Sequence, residues 1–219
     1  MEIRNPINER SIWSKSGIGL IYHNLSIDNY RGDPDAKEEV VNYIKNLHKM
    51  KEQGLGIMAF GAQGLGKSML MVEILKAAAR LINPKTRVNY SVYMTSLSEI
   101  VSTFTEGWNS PEKKREFRSK ILNTDFLLID DAEKVYMPKS ENNIVISVTD
   151  ETLRKRVNNL KPVLLTSNES PKELSNIFGP SIGSLLAGSI VPIRFSGNDY
   201  RRENSALKRW KEIYPNTKL

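Results

Sequence analysis

Short apolar segments alternate with amphipathic segments along most of the chain. The apolar segments are too short for helices and suit strands that are buried on both faces of a parallel sheet. They read LGIMAF, FLLIDD, PVLLTSN and IVPIRF, and VNYSVYM alternates enough to be another strand. Amphipathic stretches between them predict helices. Strands that alternate with helices favour an α/β fold, in which a parallel sheet carries helices on both faces.

Polar residues mark the ends of several predicted helices. Asp33 before Pro34 predicts the start of a helix that continues to Gly54. Ser96 and Glu99 have the spacing of a capping box at the start of the next one. Further helices are predicted for PEKKREFRSKIL, for IVISVTDETLRKRVNNL and for the tail from 199 to about 211, with MPKSEN as a loop.

The first residues differ from the rest of the chain. Residues 1–19 are polar and contain glycine, and we expect an N-terminal arm or leader there. Residues 20–219 have the length of one domain with its own core.

The glycine-rich segment GAQGLGKS, residues 61–68, lies between the LGIMAF strand and the helix predicted for MLMVEILKAAARL. It fits the phosphate-loop pattern G-x-x-x-x-G-K-[ST], and the order strand, loop, helix is the context that this pattern requires. Backbone N–H groups of such a loop and the helix N-terminus together bind phosphate. Lys67 would reach the β- and γ-phosphates of ATP, and Ser68 would hold Mg²⁺. The predicted nucleotide contacts are Gly61, Gln63, Gly64, Leu65, Gly66, Lys67, Ser68 and Met69.

Polar residues at the ends of two further strands complete the predicted site. Asp130, after FLLI, is expected to be the second Mg²⁺ ligand beside Ser68. Asp131 would orient or deprotonate the attacking water. Many ATPases of this type have glutamate at this position, and the shorter aspartate side chain must bring its carboxylate closer to the water, so we expect slow hydrolysis. Asn168, at the end of PVLLTSN, would contact the γ-phosphate or that water. The alternatives are acids that merely cap a strand and an asparagine that serves a turn.

Composition narrows the class of protein. The chain has no cysteine and two histidines, which excludes disulfides and cysteine-based zinc sites and disfavours a histidine-rich one. No apolar run reaches the roughly 20 residues of a membrane span, and no signal peptide is evident. We therefore expect a cytoplasmic protein with no membrane partner. The formal net charge of +7 favours a polyanionic partner.

The segment PEKKREFRSKIL is the strongest candidate for a DNA surface. It carries five basic residues, and Phe117 or Trp108 could offer a stacking face for bases. A solvated helix face is an equally good interpretation of the same charges. The basic residues are Lys113, Lys114, Arg115, Arg118 and Lys120.

Several motifs together resemble one family. GAQGLGKS, FLLIDD, LLTSN and GNDYR, with the lead-in IYHNLSIDNY and the stretch TLRKRVNNLKPVLLTSN, are similar to the AAA+ superfamily in its DnaC/DnaI/IstB branch of helicase loaders and transposition ATPases. The resemblance covers residues 20 to about 205 and implies a P-loop NTPase fold that uses ATP and Mg²⁺. It further implies that Asn168 is the sensor 1 residue, that Arg201 is the sensor 2 arginine, and that Arg156 faces a neighbouring subunit.

The sequence departs from that family in two places. Loaders of the branch carry an additional N-terminal helicase-binding domain, and we expect none here. Family members also tend to place an arginine finger after the sensor strand, where this chain reads GPSIGSLLAGSI, residues 179–190. The absence of arginine from that segment disfavours hydrolysis that is coupled around a ring.

Three functions remain open. The first is a helicase loader or its phage-encoded equivalent, a weak ATPase that assembles head-to-tail and helps to place a replicative helicase on single-stranded DNA. The second is an IstB-type transposition ATPase that recruits a transposase. The third is a nucleotide-binding adaptor that docks on another AAA+ ATPase and hydrolyses little, which the two departures favour over a self-sufficient ring.

Overall fold

The computed structural model of the protein describes residues 6–134, 142–200 and 206–214. Its five strands are β1 (Gly56–Phe60), β2 (Val92–Ser96), β3 (Phe126–Asp130), β4 (Val163–Ser167) and β5 (Ile190–Arg194). The helices before β3 are α1 (Pro6–Lys15), α2 (Pro34–Lys45), α3 (Leu47–Gln53), α4 (Lys67–Arg80), α5 (Leu97–Glu106) and α6 (Pro111–Phe117). Those after it are α7 (Asn142–Asn158), α8 (Pro171–Phe178), α9 (Pro180–Ser189) and α10 (Ala206–Ile213).

All five strands are parallel and lie in the order β2-β3-β4-β1-β5. The order places β1, which leads into the phosphate loop, between β4 and β5. The carboxyl ends of parallel strands lie at one edge of the sheet, so the residues after β1, β3 and β4 meet there. The predicted α/β fold, with its parallel sheet, is confirmed.

Helices cover both faces of the sheet. On one face α2 and α4 pack around Val40, Leu70 and Leu75, none of which is exposed to solvent. On the other face α5 and α7 pack around Ile100 and Val148. Burying one large aliphatic side chain stabilises a fold by about 1.5–3 kcal/mol, so the two layers hold the strand ends in fixed positions. Among the described residues no helix is long and apolar enough to cross a membrane.

Two predictions about the first hundred residues need correction. Residues Pro6–Lys15 form a helix rather than an extended arm, and Trp13 and Ile18 are buried in the core. The expected single helix ending at Gly54 is interrupted at Asn46, where α2 gives way to α3. The placement of the domain boundary at residue 20 remains a prediction.

The predicted capping groups show how local sequence starts these helices. Asp33 accepts hydrogen bonds from the N–H groups of Asp35 and Ala36, as expected for an N-cap. Ser96 accepts from the N–H of Glu99, but the Glu99 carboxylate accepts from side chains of β2 instead of closing the capping box. The tail helix is described over Ala206–Ile213, and most of the MPKSEN segment lies outside the described residues.

Candidate nucleotide site

The loop between β1 and α4 requires glycine at several positions. Gly61, Gly64 and Gly66 have φ angles of 137°, 79° and 80°, which side-chain-bearing residues rarely adopt. A Cβ atom on Gly61 would lie 2.4 Å from the carbonyl oxygen of Phe195, and one on Gly66 would lie 2.7 Å from the ring of Tyr30. The chain therefore forms the tight glycine turn that a phosphate-binding nest needs.

The other predicted loop contacts differ in exposure. Gln63 is exposed, Met69 is partly buried, and Leu65 is buried in the core. Leu65 also contributes its backbone, because its carbonyl oxygen accepts a hydrogen bond from the Tyr30 hydroxyl at 2.9 Å. Burial raises the pKa of Tyr30 to about 12.

Lys67, at the start of α4, is only 6% exposed, and its ammonium is held by hydrogen bonds. Its ammonium donates to the carbonyl oxygens of Gly61 and Ala62, both at 2.7 Å, and to Oδ1 of Asn168 at 3.0 Å. The last of these bonds joins the phosphate loop to the end of β4. Two residues predicted separately from the sequence thus lie in direct contact.

Ser68 and Asp130 also lie together, as a shared magnesium site requires. The Ser68 hydroxyl donates to Oδ1 of Asp130 at 2.7 Å. Hydroxyl and carboxylate oxygens are the kind of ligand that Mg²⁺ prefers, so the two residues fit the ion. Thr166 was not predicted; its buried hydroxyl donates to the same Asp130 oxygen at 2.5 Å and orients the carboxylate.

Asp131 turns away from the regular strand geometry. Its φ angle is 50°, its N–H donates to the Thr166 hydroxyl at 2.8 Å, and its carboxylate accepts from Lys134 at 2.5 Å. The Asp131 side chain is 40% exposed. It therefore lies at the rim of the site, and its predicted action on water stays a prediction.

Glu133 is a further residue that sequence reasoning missed. Its Oε1 atom accepts a hydrogen bond from Nδ2 of Asn168, so the asparagine amide bridges Lys67 and Glu133. The sequence indicates Glu133 only weakly, as an acid two positions after Asp131.

The segment after β5 closes over the phosphate loop. The N–H of Tyr200 donates to the carbonyl oxygen of Gly64 at 2.9 Å, and its ring stacks on Tyr30 with centroids 6.2 Å apart. A Cβ atom on Gly64 would lie 1.7 Å from a carboxylate oxygen of Asp199. Arg201, the predicted sensor 2 residue, follows directly and lies outside the described residues.

Arg156 contradicts the role that the family resemblance implied. Its side chain is 0% exposed, and its guanidinium donates to the carbonyl oxygens of Ile121, Thr124 and Pro162 at 2.7, 3.1 and 2.9 Å. Burial lowers its pKa to about 9. The arginine therefore ties together the chain before β3 and before β4, and the prediction that it faces a neighbouring subunit was wrong.

The basic segment around α6 is only partly available to a ligand. Lys113 pairs with Glu106 and Glu116, and Lys120 pairs with Glu116. Phe117 is buried, so its predicted stacking role was wrong. The exposed residues of the segment are Lys114, Arg115 and Arg118, with Trp108 on the preceding turn at 64% exposure.

Trp108 lines a shallow groove of about 250 Å³. Phe104, Ile144 and Val148 form its apolar wall, and Glu151 lies at the rim. The groove runs between α5 and α7, away from the phosphate loop.

Comparison with known proteins gives two kinds of relative. The chain is 27% identical to the chromosomal replication initiator protein DnaA of Limosilactobacillus fermentum over 152 residues, which are 69% of this chain and 32% of that protein. It is 23% identical to the replicative helicase loader DnaC of Buchnera aphidicola over 196 residues, 88% of this chain and 75% of the loader. The chain thus spans about a third of the length of the initiator and three quarters of the loader.

The fold has close structural neighbours. The replication initiator DnaA bound to AMPPCP and single-stranded DNA superimposes with a TM-score of 0.61 at 19% identity, over 92% of this chain and 57% of the other. The family of the bacterial DnaA ATPase domain matches residues 44–187, which include the phosphate loop, Asp130 and Asn168. Because that match covers well over half of the chain, the protein belongs to the bacterial DnaA ATPase domain family and is an AAA+ relative of the DnaC-type helicase loaders.

Proposed function

We propose that the protein binds ATP with Mg²⁺, hydrolyses it slowly, and uses its nucleotide state while it helps to load a replicative helicase on single-stranded DNA. One observation carries the nucleotide part: side chains from three strand ends meet in two hydrogen bonds, Lys67 to Asn168 and Ser68 to Asp130. Their types match the phosphate-contacting, metal-binding and sensing groups of P-loop ATPases. The likeness to a DnaC loader over 88% of the chain supports the loading part.

Each residue then has a defined task. The loop N–H groups and Lys67 would bind the β- and γ-phosphates, while Ser68 and Asp130 would hold Mg²⁺, which neutralises the charge that develops on the phosphates. Asp131 would accept the proton of the attacking water, and Asn168 would contact the γ-phosphate. Arg201 would contact the γ-phosphate from the segment after β5.

The loader proposal is tested by measuring delivery of a purified replicative helicase onto single-stranded DNA with ATP. Lys67→Ala should reduce delivery because it weakens ATP binding, while Lys172→Ala, an exposed lysine at the start of α8, serves as the matched control. Delivery that neither requires the protein nor responds to Lys67→Ala would contradict the proposal. Stable capture of a transposase in place of the helicase would select the IstB-type alternative.

The DNA surface is tested separately by salt dependence. Lys114, Arg115 and Arg118 are exposed, whereas Lys113 and Lys120 pair with glutamates. Each contacted phosphate of a single strand contributes about 0.7 to the slope of log K against log salt. Replacing the three exposed residues with alanine should therefore flatten the slope by up to about two units. The double variant of Lys113 and Lys120 should change it less.

An unchanged slope in the triple variant would place the DNA surface elsewhere. Trp108→Ala sharpens the test, because stacking of one base on an aromatic ring is worth about 1–3 kcal/mol and does not depend on salt. We expect that variant to lower affinity at every salt concentration and to leave the slope intact.

The adaptor is a second candidate that two observations favour. Residues 179–190 contain no arginine, and Arg156 is buried, so neither segment in which the family places an arginine between subunits offers a guanidinium to a neighbouring site. Turnover per molecule would then stay constant as the protein concentration rises. A steep rise would instead indicate that copies of this chain complete each other's sites.

A further inference from the structure

Glu133 lies beside the candidate nucleotide site, and in the ranges that the structure describes only one of its two carboxylate oxygens accepts a hydrogen bond. Oε1 accepts a hydrogen bond from Nδ2 of Asn168. Oε2 is buried, and within the described part of the chain it has no hydrogen-bond partner. Buried carboxylate oxygens normally have partners because the charged group loses its water. A carboxylate oxygen that is buried without a partner, next to a predicted γ-phosphate sensor, calls for a functional explanation.

The two bonds of Asn168 fix which way its amide points. An asparagine amide has one accepting oxygen and two N–H donors. Lys67 can only donate, so it must meet Oδ1, and Glu133 can only accept, so it must meet Nδ2. One N–H of Nδ2 is used by Glu133. The second N–H is left for a further acceptor at the end of β4.

From this geometry we infer that Glu133 is a positioning residue, which holds the amide of Asn168 so that its second N–H donates to the γ-phosphate of ATP. The inference rests on the proposed nucleotide site. Glu133 acts through Asn168 and takes no part in proton transfer. Its effect therefore falls on the difference between ATP and ADP, because only ATP carries the γ-phosphate.

Asp131 does not duplicate this arrangement. Its carboxylate accepts a hydrogen bond from Lys134 at the rim, is 40% exposed, and among the described residues makes no hydrogen bond with Asn168. A purely structural role for Glu133 is the other explanation. It predicts a change in unfolding without a change in nucleotide discrimination, so the two explanations differ in what is measured.

The test compares the affinities of the full chain for ATP and ADP, with Mg²⁺, by fluorescence titration of labelled nucleotides. Glu133→Ala should lower the ratio of ATP to ADP affinity by about fivefold to tenfold, which is less than the full loss of a charge-assisted hydrogen bond because the Asn168 amide is released rather than removed. Glu133→Gln can still accept from Nδ2 and should retain most of the ratio. Glu169→Gln, which neutralises the partly buried acid next to Asn168, is the matched control and should leave the ratio unchanged.

A double variant identifies the route of the effect. If Glu133 acts through Asn168, Glu133→Ala combined with Asn168→Ala should discriminate no worse than Asn168→Ala alone. Additive losses, or a parental ratio in Glu133→Ala, would overturn the inference. The inference would also be overturned if Glu133→Gln lowered the ratio of ATP to ADP affinity as much as Glu133→Ala does, since the charge rather than the hydrogen bond would then matter.

The proposed function has its own, separate failure. If Lys67→Ala leaves ATP affinity unchanged, the nucleotide site itself is wrong. If Lys67→Ala loses ATP while Glu133→Ala discriminates like the parent, only the role of Glu133 is wrong.

Discussion

The two edges of the sheet each bury a cation, and they hold it in different ways. At the carboxyl edge Lys67 is 6% exposed and contacts two loop carbonyls and the side chain of Asn168. At the amino edge Arg156 is 0% exposed and contacts backbone carbonyls next to β3 and β4. One cation is thus bound by a loop and a rotatable side chain, and the other by the fixed backbone of the core.

That difference separates function from stability. A guanidinium presents several donors in a rigid plane and can satisfy many carbonyl groups at once, as Arg156 does. An ammonium on a flexible stem can exchange its partners, as a phosphate-binding lysine must. Burial alone therefore does not identify a functional cation, and the groups that it contacts must be considered as well.

The largest effect that we expect is a loss of stability when Arg156, at the amino ends of the strands, is replaced. Arg156→Met leaves the carbonyl groups of Ile121 and Thr124 without their donor, while that of Pro162 keeps the N–H of Leu127. Each buried hydrogen-bonding group left unpaired costs about 1–3 kcal/mol, so with two such groups we expect the free energy of unfolding to fall by at least about 2 kcal/mol. Chemical denaturation measures it, with the exposed Arg154→Met as control. If Arg156→Met is as stable as the unmodified protein, the proposed structural role of Arg156 is wrong.

At the carboxyl edge, Lys67→Ala should act on ligand binding instead. A hydrogen bond to a charged group is worth about 1.5–3 kcal/mol, so ATP affinity should fall about tenfold or more while the fold survives. Titration with labelled ATP measures it. The assignment of Lys67 to ligand binding and of Arg156 to stability would be contradicted if Lys67→Ala unfolded the protein, or if Arg156→Met lost ATP affinity while it remained folded.

The two acids after β3 should separate binding from turnover. Asp130→Asn removes a predicted Mg²⁺ ligand and should abolish the gain in ATP affinity that Mg²⁺ gives. Asp131→Asn cannot accept a proton from water, so turnover should cease while ATP binding persists. Phosphate release and titrations with and without Mg²⁺ distinguish them. If both variants hydrolyse ATP at the rate of the unmodified protein, the two acids only cap the strand.

The smallest effect concerns the tyrosine that fixes the loop. The pKa of Tyr30 in the fold is about 12, above its ordinary value of 10, so the folded state keeps a proton that the unfolded state loses. Stability should therefore decline as pH rises from about 10 to 12. Tyr30→Phe should make that decline shallower, although buried Tyr43 and Tyr93, whose pKa values are also raised, contribute in the same direction. Unfolding measured at several alkaline pH values tests it, and an unaltered slope would contradict it.

The sequence by itself determined the elements and the chemistry. Apolar runs and caps predicted all five strands and most helices, because buried strands and helix starts leave local patterns. The VNYSVYM strand was placed a few residues early, since β2 begins at Val92 and continues to Ser96. The motifs also identified Lys67, Ser68, Asp130 and Asn168, and they predicted that Ser68 and Asp130 share one Mg²⁺ ion.

Tertiary structure alone decided which side chains meet. Contacts between Lys67 and Asn168, and between Asn168 and Glu133, join residues that are far apart in the chain and depend on β4 lying between β1 and β3. The same holds for Arg156, whose sequence context implied that it faces a neighbouring subunit, while the packing of α7 buries it. Strand order is set by how the helices cover both faces of the whole sheet, and no local periodicity records it.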